Sequence, residues 1–290
     1  MPFPTGAPNR KATVFDYARW SSALSGLAGQ YRRNRPFPHI LLAEFLEPAI
    51  AREVADQFPA AQADSWIHWQ HRNEDKHGLC DRALFPPYLD ALTEELNSPD
   101  FLRWLSQLTG IPNLISDPTL EGGGLHQSVR GGFLNIHADF SHHHHHTAWR
   151  RRVNLLLYLN ADWQAEWGGD LELWDAKMSR CVAKYPPLLN RAVIFNTDDN
   201  SFHGLPEPLR CPEGVARNSL ALYYYTIDDR SKIRPRATDY RARPSDSLRQ
   251  SALIWLDKQA VHLYSTAKAV FGFSDGLASK ILGRVSKTGR

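Results

Sequence analysis

Two side chains that can bind a metal stand one residue apart at the end of the segment from Gly131 to Asp139. Successive residues of a β-strand point to opposite faces, so His137 and Asp139 project to the same side of a sheet. His203 is the best candidate for a third ligand. Two imidazoles and one carboxylate leave coordination positions open on a metal, as in non-haem Fe(II) oxygenases. The three residues therefore favour an oxygenase.

Arg217 begins the predicted strand that follows His203. Alternation along this strand places one set of side chains on a single face, namely Arg217, Ser219, Ala221, Tyr223 and Tyr225. A buried guanidinium is costly without an anion, and its fork geometry fits a carboxylate through two parallel hydrogen bonds. The sequence leaves two interpretations open: a carboxylate ligand inside the fold, or an internal ion pair with an Asp or Glu.

Short β-type segments separated by turn residues must position these side chains. The predicted strands are Leu125–Val129, Phe133–Asp139, Arg152–Asn160, Leu171–Trp174, Arg191–Asn196 and Ser219–Thr226. Many short strands favour a sandwich or barrel, and a double-sheet jelly roll commonly holds a metal in its mouth.

Helical periodicity flanks the strands on both sides. Before them it covers Phe15–Tyr31, Pro48–Phe58, Tyr88–Leu96 and Pro99–Leu108, with a short strand beginning near Pro36. After them it covers Leu248–Phe271 and a shorter stretch beyond Gly276, while residues 1 to about 12 are predicted to be disordered. The expected fold is α+β: a jelly-roll core with an N-terminal helical layer and a C-terminal helical appendix.

The composition limits the remaining possibilities. Of 290 residues, 42% are hydrophobic and 22% charged, which is ordinary for a soluble globular protein. The net charge of +3 is too small to argue for a nucleic-acid partner. Cys80, Cys181 and Cys211 form no CxxC pair and suit a reducing compartment. Without a signal-peptide pattern or an apolar run of spanning length, we expect a cytoplasmic protein with no transmembrane segment.

Several motifs follow one another in order between about residues 36 and 226. They are Gly123-Gly124-Leu125-His126-Gln127, Gly132-Phe133-Leu134, His137-Ala138-Asp139-Phe140, Arg151-Arg152-Val153-Asn154-Leu155, Tyr158-Leu159-Asn160, Gly168-Gly169-Asp170-Leu171-Glu172-Leu173-Trp174, Asn190-Arg191-Ala192-Val193-Ile194-Phe195, His203-Gly204 and Arg217-Asn218-Ser219-Leu220-Ala221-Leu222-Tyr223-Tyr224-Tyr225. In this order they resemble the prolyl-4-hydroxylase-like family of 2-oxoglutarate- and Fe(II)-dependent oxygenases.

This resemblance implies a double-stranded β-helix that holds Fe(II) through His137, Asp139 and His203. It implies 2-oxoglutarate and O2 as co-substrates, ascorbate as an accessory factor, and Arg217 as the partner of the distal carboxylate of 2-oxoglutarate. The other positions matched to the co-substrate pocket are Gln127, Asn154, Tyr158, Leu171 and Ser219. Gln127 stands where animal prolyl hydroxylases have a tyrosine, and Ser219 could equally be part of the barrel wall. The positions matched to, or suggested for, the prime substrate are Arg151, Tyr223 and His126, the last with a structural hydrogen bond as the alternative.

The function implied is hydroxylation of an unactivated C–H bond of a small molecule or amino-acid side chain, with release of succinate and CO2. Alternatives are a protein prolyl or other side-chain hydroxylase, and a non-catalytic jelly-roll binding module. Asp139 favours hydroxylation, because halogenating relatives have a small residue in its place. The expected organisation is an N-terminal extension with a helix (residues 1–35), an oxygenase domain (36–228), and a basic linker with C-terminal helices packed on the core (229–290).

The histidine run after Asp139 and the basic segment near the C-terminus each allow more than one interpretation. His142 to His146 form a run of histidines after the metal motif, which we interpret as a mobile solvated loop, with an auxiliary metal site or a proton relay as alternatives. Basic residues are concentrated between Arg230 and Arg243. A solvated charged face is the expected role of this segment, and recognition of an anionic substrate or membrane surface is the alternative.

Overall fold

In the computed structural model of this chain, residues 14–61, 65–229 and 235–271 are described, with side chains as far as residue 260. The predictions for residues 1–12, for the helix beyond Gly276 and for the first basic residues of the linker lie outside these ranges. Within the ranges, no helix is both long and apolar enough to cross a membrane.

The α-helices of the described residues are α1 (Tyr17–Arg33), α2 (Pro48–Asp56), α3 (Pro87–Leu96), α4 (Pro99–Thr109) and α5 (Leu248–Phe271). Helix α1 begins two residues later than predicted because the carboxylate of Asp16 caps it, accepting a hydrogen bond of 2.9 Å from the amide of Arg19. Helix α4 ends at Gly110, whose φ of 74° is in the left-handed region that favours glycine.

The strands are β1 (His39–Ala43), β2 (Ile67–His71), β3 (Glu74–Leu79), β4 (Ile115–Ser116), β5 (Gly124–Ser128), β6 (Phe133–Ala138), β7 (Trp149–Tyr158), β8 (Leu171–Trp174), β9 (Cys181–Tyr185), β10 (Arg191–Asn196), β11 (His203–Leu205), β12 (Arg217–Ile227) and β13 (Asp239–Tyr240). All pair antiparallel in one sheet with the main order β1-β10-β7-β12-β5-β3-β6-β11-β8-β9, which curls into a nearly closed barrel. The predicted α+β class with a jelly-roll core is confirmed.

The sheet is buried on both faces, as strand β10 illustrates. Ala192 and Ile194 belong to the larger core, which includes buried residues of α1, α3 and α4. Val193 and Phe195 point the other way, into a smaller interior cluster with Tyr158. Because alternate residues are apolar on both sides, the central strands are almost continuous hydrophobic runs. The helical layer thus covers the outer face and leaves the inner face to the functional site.

The predicted strands at Leu171–Trp174 and Arg191–Asn196 have the observed bounds. Besides the two- and three-residue strands β4, β11 and β13, the predicted set lacks the hairpin of β2 and β3 and the strand β9. These strands carry mixtures of polar and apolar residues at half-buried positions, so the period-two signal is weak in them.

Candidate active site

Strand pairing brings the three predicted metal ligands together. His137 in β6 lies directly opposite His203 in β11, and Asp139 follows the end of β6. The Nε2 atoms of His137 and His203 each lie 3.5 Å from an oxygen of Asp139. One ligand atom from each residue fits within 4.8 Å of the other two. The spacing is that of side chains converging on one ion.

Backbone carbonyls fix the orientation of both imidazoles. His137 Nδ1 lies 2.8 Å from the carbonyl oxygen of Asn135, and His203 Nδ1 lies 2.8 Å from that of Ser201. Since a carbonyl can only accept, each Nδ1 carries the proton, and the lone pair of each Nε2 is directed at the centre of the triad.

The surroundings set the charge state that a divalent metal requires. Burial would raise the pKa of Asp139, but Arg151 and His203 hold it well below its usual value. Arg151 Nη2 lies 3.1 Å from the Asp139 carboxylate, and Asn154 Nδ2 donates to the same oxygen over 2.8 Å. Burial lowers the pKa of His203 to about 4. At neutral pH the site therefore offers an ionised carboxylate and a neutral imidazole, and this donor set fits Fe(II).

Arg217 lies at the start of β12 and is buried without an acidic partner. Its Nε donates to the carbonyl of Gly169 over 2.8 Å, and its guanidinium lies 4.8 Å from the ring of Tyr158. Among the described residues no carboxylate lies within 4.0 Å of it. The internal ion pair considered above is therefore absent from the described part of the chain. The buried hydroxyl of Tyr158 also has no well-formed hydrogen bond in the described chain. Both groups fit an anion bound between them.

Two other predicted pocket residues lie on the same face as Arg217. Ser219 is buried and pairs with Tyr158 across the β12–β7 ladder. Leu171 packs with Tyr158 in the interior cluster. Both residues therefore adjoin Tyr158, whose ring lies 4.8 Å from the Arg217 guanidinium.

The placement of Gln127 in this pocket is wrong. Its side chain accepts from the amide of Ala61 over 2.8 Å and donates to Asn218 Oδ1 over 2.9 Å, on the outer face of the sheet. His126 pairs with Ser219 and takes the inward position instead. A shift of one residue along a strand exchanges the two faces, and the resemblance fixed this strand only to within one residue.

Asn154 and Arg151 both contact Asp139, one of the three predicted metal ligands. Arg151 Nε donates to Asn154 Oδ1 over 2.9 Å, and both side chains contact Asp139. The Arg151 guanidinium also lies 3.4 Å from the centre of the Tyr223 ring. Only 3% of Arg151 is exposed, so its guanidinium is part of the site and not a solvated surface group.

A cavity of about 150 Å³ opens beside His137 and Asp139. Its remaining lining residues are Trp69, Glu74, Lys76, Glu121, Gly122, Leu134, Phe140, His144, Arg151, Tyr223, Thr238 and Tyr240. Arg217 is not among them, so this cavity does not include the Arg217 side chain. Burial lowers the pKa of His126, which is neutral and lies near this region with its Nε2 3.1 Å from the Gly122 carbonyl.

Several cavity residues lie outside the matched motifs and were not predicted from the sequence. Trp69, Glu74 and Lys76 come from β2 and β3, and Thr238 and Tyr240 from the segment around β13. No spacing rule connects these segments to the metal motif. The only available signal was the unusual mixture of aromatic and charged residues between positions 66 and 77.

The histidine run is only partly solvated, so the expected solvated loop is wrong for its first half. His142 and His143 are buried. His143 Nδ1 lies 3.1 Å from Glu121 Oε2, and its Nε2 lies 3.3 Å from Asp117 Oδ2. Among the residues described, only His137, Asp139 and His203 are grouped closely enough to share a metal, so the auxiliary metal site gains no support.

An ion network behind the cavity wall is expected to make stability depend on pH. Burial alone would lower the pKa of His71, but hydrogen bonds to Asp257 and Glu74 raise it to about 10 from 6.5. A folded-state pKa above the unfolded value stabilises the fold fully below pH 6.5, and this contribution is lost as pH rises towards 10. We expect a loss on the order of 5 kcal/mol over that range, at about 1.4 kcal/mol for each unit of the pKa difference.

Urea unfolding of the wild type and of His71→Gln at pH 6.5, 8 and 9.5 would measure this dependence. The difference in stability between the two proteins should shrink as pH rises, because only the wild type carries the charge on His71. A difference that is constant with pH would contradict the prediction.

Comparison with known proteins defines the class. Residues 123–225 match the family model of the 2OG-Fe(II) oxygenase superfamily. The chain is 29% identical over 143 residues to prolyl 3-hydroxylase OGFOD1 of Mus musculus, a match that covers 48% of this chain and 24% of that relative. It thus spans about a quarter of the length of this curated relative.

Two solved structures show the same fold. A prolyl hydroxylase from Trichoplax adhaerens, solved with a hypoxia inducible factor peptide, aligns with a TM-score of 0.53 at 16% identity, covering 72% of this chain and 93% of that one. A prolyl 4-hydroxylase from Phytophthora capsici aligns with a TM-score of 0.52 at 17% identity, covering 99% and 95%.

Residues 123–225 are therefore similar to the 2OG-Fe(II) oxygenase superfamily, and the predicted double-stranded β-helix is confirmed. The chain is thus similar in sequence to one prolyl hydroxylase and in fold to two others, in agreement with the resemblance that its motifs carry.

Proposed function

We propose that this chain is a 2-oxoglutarate- and Fe(II)-dependent dioxygenase that hydroxylates an unactivated C–H bond. One observation carries the proposal: a buried His-Asp-His triad shares the inner face of the barrel with a buried arginine that has no acidic partner among the described residues. A pure binding module has no need for both features. The reaction converts the C–H bond, O2 and 2-oxoglutarate into an alcohol, succinate and CO2.

The roles follow from the contacts. His137, Asp139 and His203 would hold Fe(II), which supplies O2 activation when bound. Arg217 and the Tyr158 hydroxyl would bind the distal carboxylate of 2-oxoglutarate, with Ser219 and Leu171 as the pocket wall. Arg151 and Asn154 would hold one oxygen of Asp139, so that the carboxylate keeps a single orientation towards the metal.

We propose an amino-acid side chain or a small molecule of similar size as the prime substrate, in the cavity lined by Arg151 and Tyr223. The cavity volume of about 150 Å³ suits a group of that size. The relatives named for prolyl hydroxylation favour proline as the first compound to test. His126 and Tyr223 would contribute to the wall, and ascorbate would serve as an accessory factor in the assay.

Two general features are part of the same proposal. The oxygenase domain would occupy residues 36–228, after an extension of residues 1–35 and before an appendix of residues 229–290, and the family match lies inside the middle segment. A cytoplasmic location is supported by the three cysteines, which are widely spaced in the sequence and form no CxxC pair.

Anaerobic addition of Fe(II) and 2-oxoglutarate should produce a visible metal-to-ligand charge-transfer band. Its absence from correctly metallated protein would refute the proposal. Succinate release with free proline, prolyl peptides and a wider small-molecule set, with mass detection of one added oxygen atom, would then identify the substrate class.

A further inference from the structure

Strand β6, which carries His137, is held along both edges. One edge pairs with β11, the strand of His203. The other edge is shared by two short partners: β3 pairs with its beginning, at Leu134, and β13 pairs with its end, at His137. The position of His137 therefore depends on how β3 and β13 are held against β6.

Helix α5 reaches both partners through two consecutive residues. Asp257 Oδ2 accepts hydrogen bonds from His71 Nδ1 over 2.7 Å and from Asn73 Nδ2 over 2.6 Å, at the turn between β2 and β3. Lys258 forms an ion pair with Asp239 in β13. The side chains of His71 and Asp257 are 8% and 13% exposed, so solvent screens this contact only weakly. We call Asp257 and Lys258 the α5 anchor.

A continuous series of hydrogen-bonded residues connects Asp257 of the α5 anchor to His137. Asn73 Oδ1 accepts from Asn135 Nδ2 over 3.0 Å, and the Asn73 carbonyl accepts from the Asn135 amide over 2.8 Å. The Asn135 carbonyl in turn accepts from His137 Nδ1 over 2.8 Å. Asp257 is thus linked through two asparagines to the atom that orients the ligand imidazole.

We propose that α5 positions His137 for metal binding and that Asp257 is a positioning residue for the site. The inference rests on the proposed function, since it concerns the same metal. It extends the functional unit beyond the family match, which ends at residue 225. Partners that orient ligating histidines typically change metal affinity by about 10- to 100-fold when they are lost.

The test compares Asp257→Asn with Asp246→Asn. Asp246 is a matched control because it is also a buried, ion-paired carboxylate of the C-terminal segment: it bonds Arg243 over 2.9 Å, and its side chain is 7% exposed. Among the described residues its side chain bonds only to Arg243, and not to β3 or β6. We expect Asp257→Asn to weaken Mn(II) binding, measured by calorimetry, by about 10-fold. Asp246→Asn should leave the affinity within about twofold of the wild type, since it lies outside the path.

A structural role alone would lower the unfolding midpoint of both variants but leave the metal affinity of the folded protein unchanged. Equal Mn(II) affinities for the two variants would therefore overturn the inference. If Asp257→Asn does not fold, Lys258→Gln can be tested instead, because it removes the ion pair between α5 and Asp239 of β13. We expect this variant to show a smaller loss of Mn(II) affinity. An unchanged Mn(II) affinity would contradict the inference. Mn(II) calorimetry does not require turnover, so a wild type that binds Mn(II) but lacks the charge-transfer band would refute only the proposed function.

Discussion

His203→Ala is expected to weaken Fe(II) binding by more than about 100-fold, because loss of a ligand should exceed the 10- to 100-fold cost of losing a ligand's partner. His203 is the only ligand supplied by β11, and no other His, Cys, Asp or Glu in the described chain is grouped with the remaining two. The substitution leaves no buried charge unpaired, because burial keeps this imidazole neutral at pH 7.

His39→Ala provides the matched control. His39 is buried, and its two ring nitrogens contact the Phe37 carbonyl at 2.8 Å and the Tyr185 hydroxyl at 2.6 Å. Both variants therefore lose a buried imidazole with a backbone hydrogen bond, but only one loses a metal ligand. Anaerobic equilibrium dialysis with Fe(II) should show wild-type affinity for His39→Ala, and equal affinities in the two variants would remove His203 from the ligand set.

The sequence was sufficient to predict that the three candidate ligands lie together, because strand geometry is regular. The spacing of His137 and Asp139 guarantees a common face within one strand, and the third ligand needed only a neighbouring antiparallel strand. The same regularity explains the error at Gln127. A motif match located the strand correctly but not its register, and a register error of one residue places the side chain on the opposite face.

Features that depend on pairs distant in sequence could not be predicted. His143 is buried because Asp117 and Glu121 provide polar partners, and a run of histidines gives no sign of them. The hairpin of β2 and β3 lacks apolar alternation because its polar residues, such as Glu74 and Lys76, are satisfied by ion pairs rather than by solvent. Hydrophobic periodicity therefore could not predict that this hairpin lines the cavity beside the triad.

The role of Asp257 was equally beyond reach from sequence. It lies in α5, whose apolar spacing predicted packing on the core but not which polar residue would make the contact. The fold brings Asp257 Oδ2 within 2.6 Å of Asn73 Nδ2, and Asn73 in turn bonds to β6, the strand of His137.

Arg217→Met should separate co-substrate binding from folding. The wild-type guanidinium has spare donors for a carboxylate, and each charge-assisted hydrogen bond contributes about 1.5–3 kcal/mol. Losing two such bonds predicts a fall in 2-oxoglutarate affinity of about 10²- to 10⁴-fold. The stability of the ligand-free protein should change little, because relief from an unpaired buried charge offsets the lost hydrogen bond to Gly169.

Arg152→Met tests the specificity of that effect. Arg152 lies in β7, a neighbour of β12, but its Nη1 is within 3.3 Å of Thr226 Oγ1 and it does not line the Arg217 pocket. Titration of the charge-transfer band with 2-oxoglutarate should give wild-type affinity for Arg152→Met and a strongly weakened one for Arg217→Met. If Arg217→Met bound 2-oxoglutarate normally, the distal carboxylate would need another cation, and Arg151 and Lys76 are the buried candidates nearest the triad. Either result therefore fixes which side of the metal the co-substrate occupies, and with it which cavity is left for the substrate.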